Sequence, residues 1–270
     1  MFFRFCRKSY FFLRGSKNGK NYGKIAAAEN ANCGFGGKKM LRSLFETFDS
    51  LLVLDTETTG ISCRNDEIIE LAVLRAAPDG DRLCEVETMD EFIRLSQGRH
   101  VPDKIVELTG ITEQMLLDDG IEKRQAAERF AAMFGEKTLI VAYNAQFDLC
   151  FLYYFLAQFG MADVLKGAQM LDALTVYKDR RPFPHKLCNA VDAYQLKTQN
   201  THRAIDDARA TLELLAAMDE EEADLERYVN LFGYNPKFGA PKPAIHSITY
   251  RPQGYNRAGK LYEQAEPAFL

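Results

Sequence analysis

Four carboxylates and one histidine, spread over three separated motifs, are the residues of this chain whose types and spacing point to chemistry. Asp55 and Glu57 stand two apart in Leu51-Leu52-Val53-Leu54-Asp55-Thr56-Glu57-Thr58-Thr59-Gly60. Asp148 closes Val141-Ala142-Tyr143-Asn144-Ala145-Gln146-Phe147-Asp148, and His202 and Asp207 stand five apart in His202-Arg203-Ala204-Ile205-Asp206-Asp207-Ala208. Carboxylates are hard oxygen ligands for divalent cations, and an imidazole titrates near neutral pH. Taken together the set holds what metal-assisted hydrolysis of a phosphodiester requires.

Each motif alone also fits a plain structural role. Asp55 and Glu57 end an apolar strand, and the period of two puts both side chains on one face. Two carboxylates that close repel unless a cation or a proton lies between them, yet an acidic strand-to-turn junction reads the same way. Asp148 falls in the first turn of a helix after a second apolar strand, where the helix dipole favours an acid. In an α/β sheet the C-terminal strand ends converge on one crevice, which would bring Asp148 to face Asp55. Five helical steps separate His202 from Asp207 by roughly 140°. The two cannot share a face within one helix, so His202 belongs in the loop before it. Ile205, Ala208, Leu212 and Leu215 mark the buried stripe. Asp207 lies nearer its edge than Asp206 and is therefore the better ligand.

The elements that must position these residues are an apolar strand at 51–55, a second at 67–76 and a third at 85–94, the last two joined as a hairpin through Pro78-Asp79-Gly80-Asp81. Helices are expected at 101–107 and at 121–134, the latter ended by Gly135. A strand follows at 139–143, and then a helix at 147–159 with Asn144 as its cap. Residues 170–174 read equally as a strand end or a helix start. Helices follow at 186–194 and 203–218, with another at 219–231. The last forty residues hold five prolines and read as an irregular tail. Strands first and then alternation with helices give an α/β class, a mixed central sheet of about five strands flanked by helices.

The organisation expected is a basic, poorly ordered arm over 1–45, a body over 46–220, and a C-terminal helix with an irregular Pro-containing tail over 221–270. Residues 1–39 carry nine Lys/Arg and one acid, a local charge of +8, so the other 231 residues carry −12. The arm has no apolar core of a signal peptide; it is basic like a transit peptide without being Ser-rich. Translation from Met40 would omit most of it. An acidic body is unusual for a nucleic-acid binder, although bound metal would neutralise part of it. No stretch of eighteen apolar residues marks a membrane span. The six cysteines are scattered with no zinc-type pairs, which suits reduced thiols and a cytoplasmic location. His100, His185 and His246 lie in loop, turn and tail contexts.

In these motifs the chain resembles the DEDDh family of 3′–5′ exonucleases, whose fold is ribonuclease H-like. The match runs through Asp55-Thr56-Glu57-Thr58-Thr59-Gly60, Asn144-Ala145-Gln146-Phe147-Asp148 and His202-Arg203-Ala204-Ile205-Asp206-Asp207, in order, over roughly 50–218. Leu108-Thr109-Gly110-Ile111-Thr112 and His185-Lys186-Leu187 resemble intervening family segments. The family often has His where this chain has Tyr143. The sister subfamily has Tyr where this chain has Arg203, so the resemblance is to the His subfamily. The resemblance implies two Mg²⁺ ions, with Mn²⁺ able to substitute, about 4 Å apart. Asp55, Glu57 and Asp207 would hold the first, Asp55 would bridge to the second, and Asp148 would act on the second partly through water. His202 would be the general base, and Thr58 and Asn144 would touch the terminal nucleotide.

What the resemblance implies is removal of nucleotides from 3′ ends of single-stranded or frayed DNA, with RNA as an alternative. The family includes proofreading subunits, the exonuclease insert of a Gram-positive polymerase, ribonuclease T and oligoribonuclease. The chain carries no polymerase domain, so proofreading would need a DNA polymerase partner. Two other classes compete: a non-catalytic nucleic-acid- or polymerase-binding module on the same fold, against which the intact motifs speak, and a phosphoesterase acting on small molecules. The segment from Tyr234 to Gly254 mixes Lys237, Lys242 and Arg251 with Phe238, Tyr250 and Tyr255 nearby. That mixture suits either a single strand or a tail packed on the body.

Overall fold

The computed structural model describes residues 41–198, 202–255 and 259–264, together with the backbone of 32–35. Eight strands follow in chain order: β1 (Asn32–Phe35), β2 (Ser50–Thr58), β3 (Ile68–Asp79), β4 (Arg82–Phe92), β5 (Thr138–Ala142), β6 (Gln169–Asp172), β7 (Leu231–Tyr234) and β8 (Thr249–Pro252). The helices are α1 (Arg42–Phe45), α2 (Asp103–Thr109), α3 (Glu113–Asp118), α4 (Lys123–Ala132), α5 (Ala145–Ala157), α6 (Ala173–Arg180), α7 (Leu187–Tyr194) and α8 (Ala204–Glu221).

Strand period sets the layers. Along β2, Leu51 and Val53 enter one apolar core with Leu212 and Leu215 of α8, whereas Leu52 and Leu54 enter another with Leu149, Leu152 and Phe155 of α5. A strand buried on both faces must be apolar throughout, which is why 51–54 contains no polar residue. The sheet order is β1-β4-β3-β2-β5-β6. Strands β3 and β4 form the expected hairpin, β2 is antiparallel to β3, and β2, β5 and β6 run parallel. The five expected strands are joined by β1, which pairs with β4 at the sheet edge. The ambiguous 170–174 segment is both things in turn: β6 ends at Asp172, and the Asp172 carboxylate caps α6 by accepting from the backbone of Leu174 and Thr175.

Three expectations need correction. Most of the arm over 1–45 lies outside the described residues, but 41–45 belong to the body. Leu41 and Leu44 are fully buried, and the Leu41 N–H donates to Asp219 Oδ2 at 2.8 Å. No separate helix forms over 219–231; α8 runs on to Glu221 and stops there. Four successive acids, 219–222, sit at the negative end of the α8 dipole, and Arg180 holds Glu222 and Asp224 where the chain turns away. A short 3-10 turn, Leu225–Tyr228, then leads into β7. The tail is not irregular throughout, since among the described residues β7 and β8 form a parallel pair docked on α6. The Gly233 N–H donates to Thr175 Oγ1 at 2.9 Å, and buried Gln253 donates to the Thr175 carbonyl at 2.9 Å and to Asp179 at 2.8 Å. A Cβ on Gly233 would lie 2.0 Å from Gln253 Oε1, so this close approach requires glycine.

The cysteines also depart from expectation. Cys63 and Cys150, 87 residues apart in sequence, form a disulfide with Cα atoms 5.9 Å apart. It links the loop after β2 to α5. Sequence spacing gives no sign of it because only the fold brings the two together.

Candidate active site

The strand parity that sorts leucines between two cores also sorts the acids. Asp55 and Glu57 share the parity of Leu51 and Val53 and so lie on the α8 side. Thr56 shares the parity of Leu52 and Leu54 and lies on the α5 side. Asp207, in the first turn of α8, is buried and meets the first pair. Ligand oxygens of Asp55, Glu57 and Asp207 all lie within 4.8 Å of one another. Asp206, one residue earlier, is only half-buried and outside this group. Asp148 comes from the opposite layer. It is buried, and its Oδ1 accepts from the Thr56 hydroxyl at 2.7 Å, so it flanks the three-carboxylate group instead of joining it.

The backbone of the first motif is held by its turn. The Thr58 hydroxyl donates to the Gly60 carbonyl at 2.6 Å, and Asp66 Oδ2 accepts from the Ser62 N–H at 2.8 Å. A Cβ on Gly60 would fall 2.5 Å from that Asp66 oxygen. Thr58 is thus buried with its hydroxyl committed to the turn. Asn144 precedes α5 in the left-handed region, φ 65°, which asparagine tolerates better than most residues. Its side chain does not cap the helix as expected. Asp172 at the end of β6 takes that role across the sheet, its Oδ1 accepting from the N–H groups of Asn144 and Ala145 at 2.9 and 3.1 Å. His202 lies in the loop just before α8, as its spacing requires, exposed and with φ 58°. Tyr143, at the departure from the family pattern, donates to the His185 carbonyl at 2.9 Å. Burial pushes its phenol further up, so it stays neutral.

One residue of the site is missed by motif reading. Glu70 on β3 lies directly opposite Glu57 and is wholly buried. Its Oε1 accepts from Arg203 Nε and Nη2 at 2.9 and 2.7 Å, and its Oε2 accepts from the Ala204 N–H at 3.1 Å. Glu70 therefore caps α8 and clamps the arginine next to His202. The Arg203 guanidinium also lies over the Phe92 ring, 4.9 Å from its centre. The available signal was one acid inside the apolar run Ile68-Ile69-Glu70-Leu71-Ala72-Val73-Leu74, since a charge at a core position needs a partner.

The electrostatics ask for a cation. Burial, then the charges of Asp148, Asp207, Glu57 and Glu70, hold Asp55 well above the usual carboxylate range. Burial and then Glu70, Asp207 and Asp148 push Glu57 up to about 8, against a smaller opposing pull from Arg203. Burial also raises Asp148 to about 7 despite the hydrogen bond from Thr56. Among the described residues neither Asp55 nor Glu57 is in an ion pair. Converging all-oxygen donors with excess negative charge suit a hard divalent ion such as Mg²⁺ or Mn²⁺.

Residues 52–215 match the RNase_T exonuclease family. The chain belongs to that family. Its ordered acidic motifs place it among the DEDD-type 3′–5′ exonucleases. It is 34% identical over 239 residues to a PolC-type DNA polymerase III of Clostridium perfringens, a match covering 83% of this chain and 15% of the relative. A second PolC-type DNA polymerase III, from Oceanobacillus iheyensis, is 33% identical over 243 residues, covering 85% and 16%. The chain thus spans a small part of the length of such relatives. In fold it is similar to E. coli exonuclease I in a complex with single-stranded DNA, with a TM-score of 0.60 at 22% identity, covering 67% of this chain and 42% of that one. It is also similar to cell-death related nuclease 4, with a TM-score of 0.56 at 19% identity, covering 65% of each. These neighbours show the ribonuclease H-like exonuclease fold.

Two outcomes are expected of the site itself. For a carboxyl raised on folding, the unfolded chain ionises first, so the metal-free fold loses stability as pH rises from about 4.5 toward the Glu57 value of about 8. The melting temperature in EDTA should fall over that window, and Mg²⁺ or Mn²⁺ should restore it by about 3 °C or more at the alkaline end. A metal response that is absent, or larger at acid pH, would contradict the assignment. For the clamp, Arg203→Ala strands a buried carboxylate and should cost about 3–5 kcal/mol, and Glu70→Ala about 1–3 kcal/mol. In denaturant melts the double variant should fall short of the sum by about 1 kcal/mol or more; simple additivity would show that the pair is not coupled.

Proposed function

We propose that the chain is a divalent-metal-dependent 3′–5′ exonuclease that releases nucleoside 5′-monophosphates from the 3′ ends of single-stranded or frayed DNA. The observation that carries this reading is the convergence of Asp55, Glu57 and Asp207 from a strand and a helix, with Asp148 flanking them from the opposite layer. Asp55, Glu57 and Asp207 would hold one ion, and Asp55 with Asp148 would serve the second. Bound there, Mg²⁺ or Mn²⁺ supplies charge neutralisation at the phosphate and acidifies water.

The chain's own residues do the rest. A ring nitrogen of His202 takes the proton from the attacking water, whose oxygen bonds to the terminal phosphorus. The P–O3′ bond breaks, the leaving 3′ oxygen takes its proton from solvent water, and the proton held on His202 returns to solvent. Exposure before α8 leaves His202 open to the water it serves, while Glu70 and Arg203 fix the backbone that carries it. Asn144 and the backbone of Thr58 border the terminal nucleotide. The PolC-type relatives support DNA as the substrate and a DNA polymerase as the partner in proofreading, and with them a cytoplasmic location.

The test is digestion of a 5′-labelled single-stranded DNA and its RNA counterpart with Mg²⁺, Mn²⁺ or EDTA. A metal-dependent ladder shortening from the 3′ end is expected, faster on DNA. No cleavage of either with any metal would leave a binding module. Asp207→Asn should abolish turnover and Asp206→Asn should keep most of it. Equal loss would refute the choice of ligand face. His202→Ala should lower kcat by about 10²–10⁴-fold while metal binding, followed by thermal shift, is preserved. Unchanged turnover would remove the histidine from the role of base.

A further inference from the structure

The C-terminal segment lies beyond the family match, yet it builds a cavity against the second motif. This cavity, 760 Å³ in volume, is lined by Asn144 and Gln146 of the motif, Lys178 of α6, and Tyr234, Phe238 and Lys242 of the segment. The wall is tied to the catalytic helix by one side chain. Gln146 Nε2 donates to the Pro243 carbonyl at 3.0 Å, and its Oε1 accepts from the Tyr250 hydroxyl, which in turn accepts from the Ile245 N–H at 3.0 Å.

Place and chemistry point the same way. Because β2, β5 and β6 are parallel, their C-terminal ends share one edge of the sheet. Asp55 and Glu57 stand at that edge on β2, Asn144 follows β5, and the cavity opens at the ends of β5 and β6. Phe238 is 74% exposed, a large aromatic face that core packing does not explain, and the Lys237 ammonium lies 5.7 Å from its ring centre. Residues 231–255 include Lys237, Lys242 and Arg251 and no acid, on a body that is otherwise strongly acidic. Asp172 also borders the cavity, but its carboxylate is occupied by four backbone N–H groups and the Thr175 hydroxyl. Aromatic faces with ammonium groups beside them are how single strands are held without regard to sequence: bases stack and phosphates pair.

We propose that this cavity is an upstream subsite for single-stranded DNA, holding nucleotides 5′ of the scissile linkage, with Phe238 stacked on a base and Lys178 and Lys242 on phosphates. The proposal rests on the exonuclease reading for its direction. It predicts a dependence on substrate length that the carboxylate site alone does not create.

The experiment compares kcat/KM on a DNA dinucleotide and on a dodecamer for the full chain, Phe238→Ala and Lys178→Ala/Lys242→Ala. Anisotropy of the labelled dodecamer in EDTA across a salt series is measured alongside. Stacking is worth about 1–3 kcal/mol per base, or about 5–150-fold. The dodecamer-to-dinucleotide ratio should therefore fall about tenfold in Phe238→Ala. In the double lysine variant the dodecamer should bind more weakly, and the salt dependence should flatten by about two phosphate contacts. A ratio and a salt slope equal to wild type in both variants would overturn the subsite. If the wild-type chain cleaves neither substrate, the exonuclease reading fails by itself, and the anisotropy of the intact dodecamer decides the subsite: weaker binding in both variants sustains it, and equal binding overturns it.

Discussion

Mutual repulsion among buried carboxylates at the end of β2 is the constraint on which the rest of this structure depends. Asp55, Glu57 and Asp207 are brought within 4.8 Å of one another with Asp148 and Glu70 close by. A fold that assembles such a group works against itself until protons or cations arrive. The surrounding architecture supplies the force that holds it. Residues 51–54 of β2 are apolar on both faces, the strand is locked between β3 and β5, and α8 and α5 are each fixed to it by their own core. The chain spends packing energy there to keep oxygens converging, and a divalent ion bound there would recover part of that cost.

The negative charge is also partitioned. Asp148 is kept on its own side by the Thr56 hydroxyl, in the opposite layer from Asp207. Glu70 is given a permanent cation, Arg203, and it serves the backbone of α8 as well. Its partner lies one residue from His202, so the same ion pair that neutralises the surplus acid also sets where the histidine loop ends and α8 begins. This explains why arginine suits position 203 better than lysine. Two parallel donors reach one carboxylate oxygen while the planar face lies over Phe92.

What was legible in the sequence follows the range of the forces involved. Asp55 and Glu57 could be paired because strand period is local, and Asp207 could be separated from Asp206 because helix period is local. The mixed sheet, the β3–β4 hairpin and the loop placement of His202 came from signals of the same kind. What depended on contact across the fold was hidden. Asn144 looked like a cap because asparagine caps helices, but its side chain makes no capping bond, and a carboxylate from the next strand, Asp172, instead accepts from the N–H groups of Asn144 and Ala145. The acidic end of α8 looked like more helix, although four acids oppose the dipole there. Cys63 and Cys150 looked like reduced thiols because their partner was 87 residues away. Glu70 was visible only as an anomaly, one acid in an apolar strand.

The C-terminal segment shows the same limit most clearly. Its prolines suggest an irregular tail when read locally, but proline restricts a chain as much as it breaks regular structure. Here the stiffened segment between β7 and β8 is pinned at both ends, by Gly233 and Gln253 on α6 and by Gln146 on α5. Gln146 is therefore constrained twice, by its place in the helix that carries Asp148 and by the wall it supports. A change at the C-terminal segment has a short mechanical path to the second motif, through one amide side chain. The sheet edge that carries the second motif is therefore finished by residues that lie outside the family match.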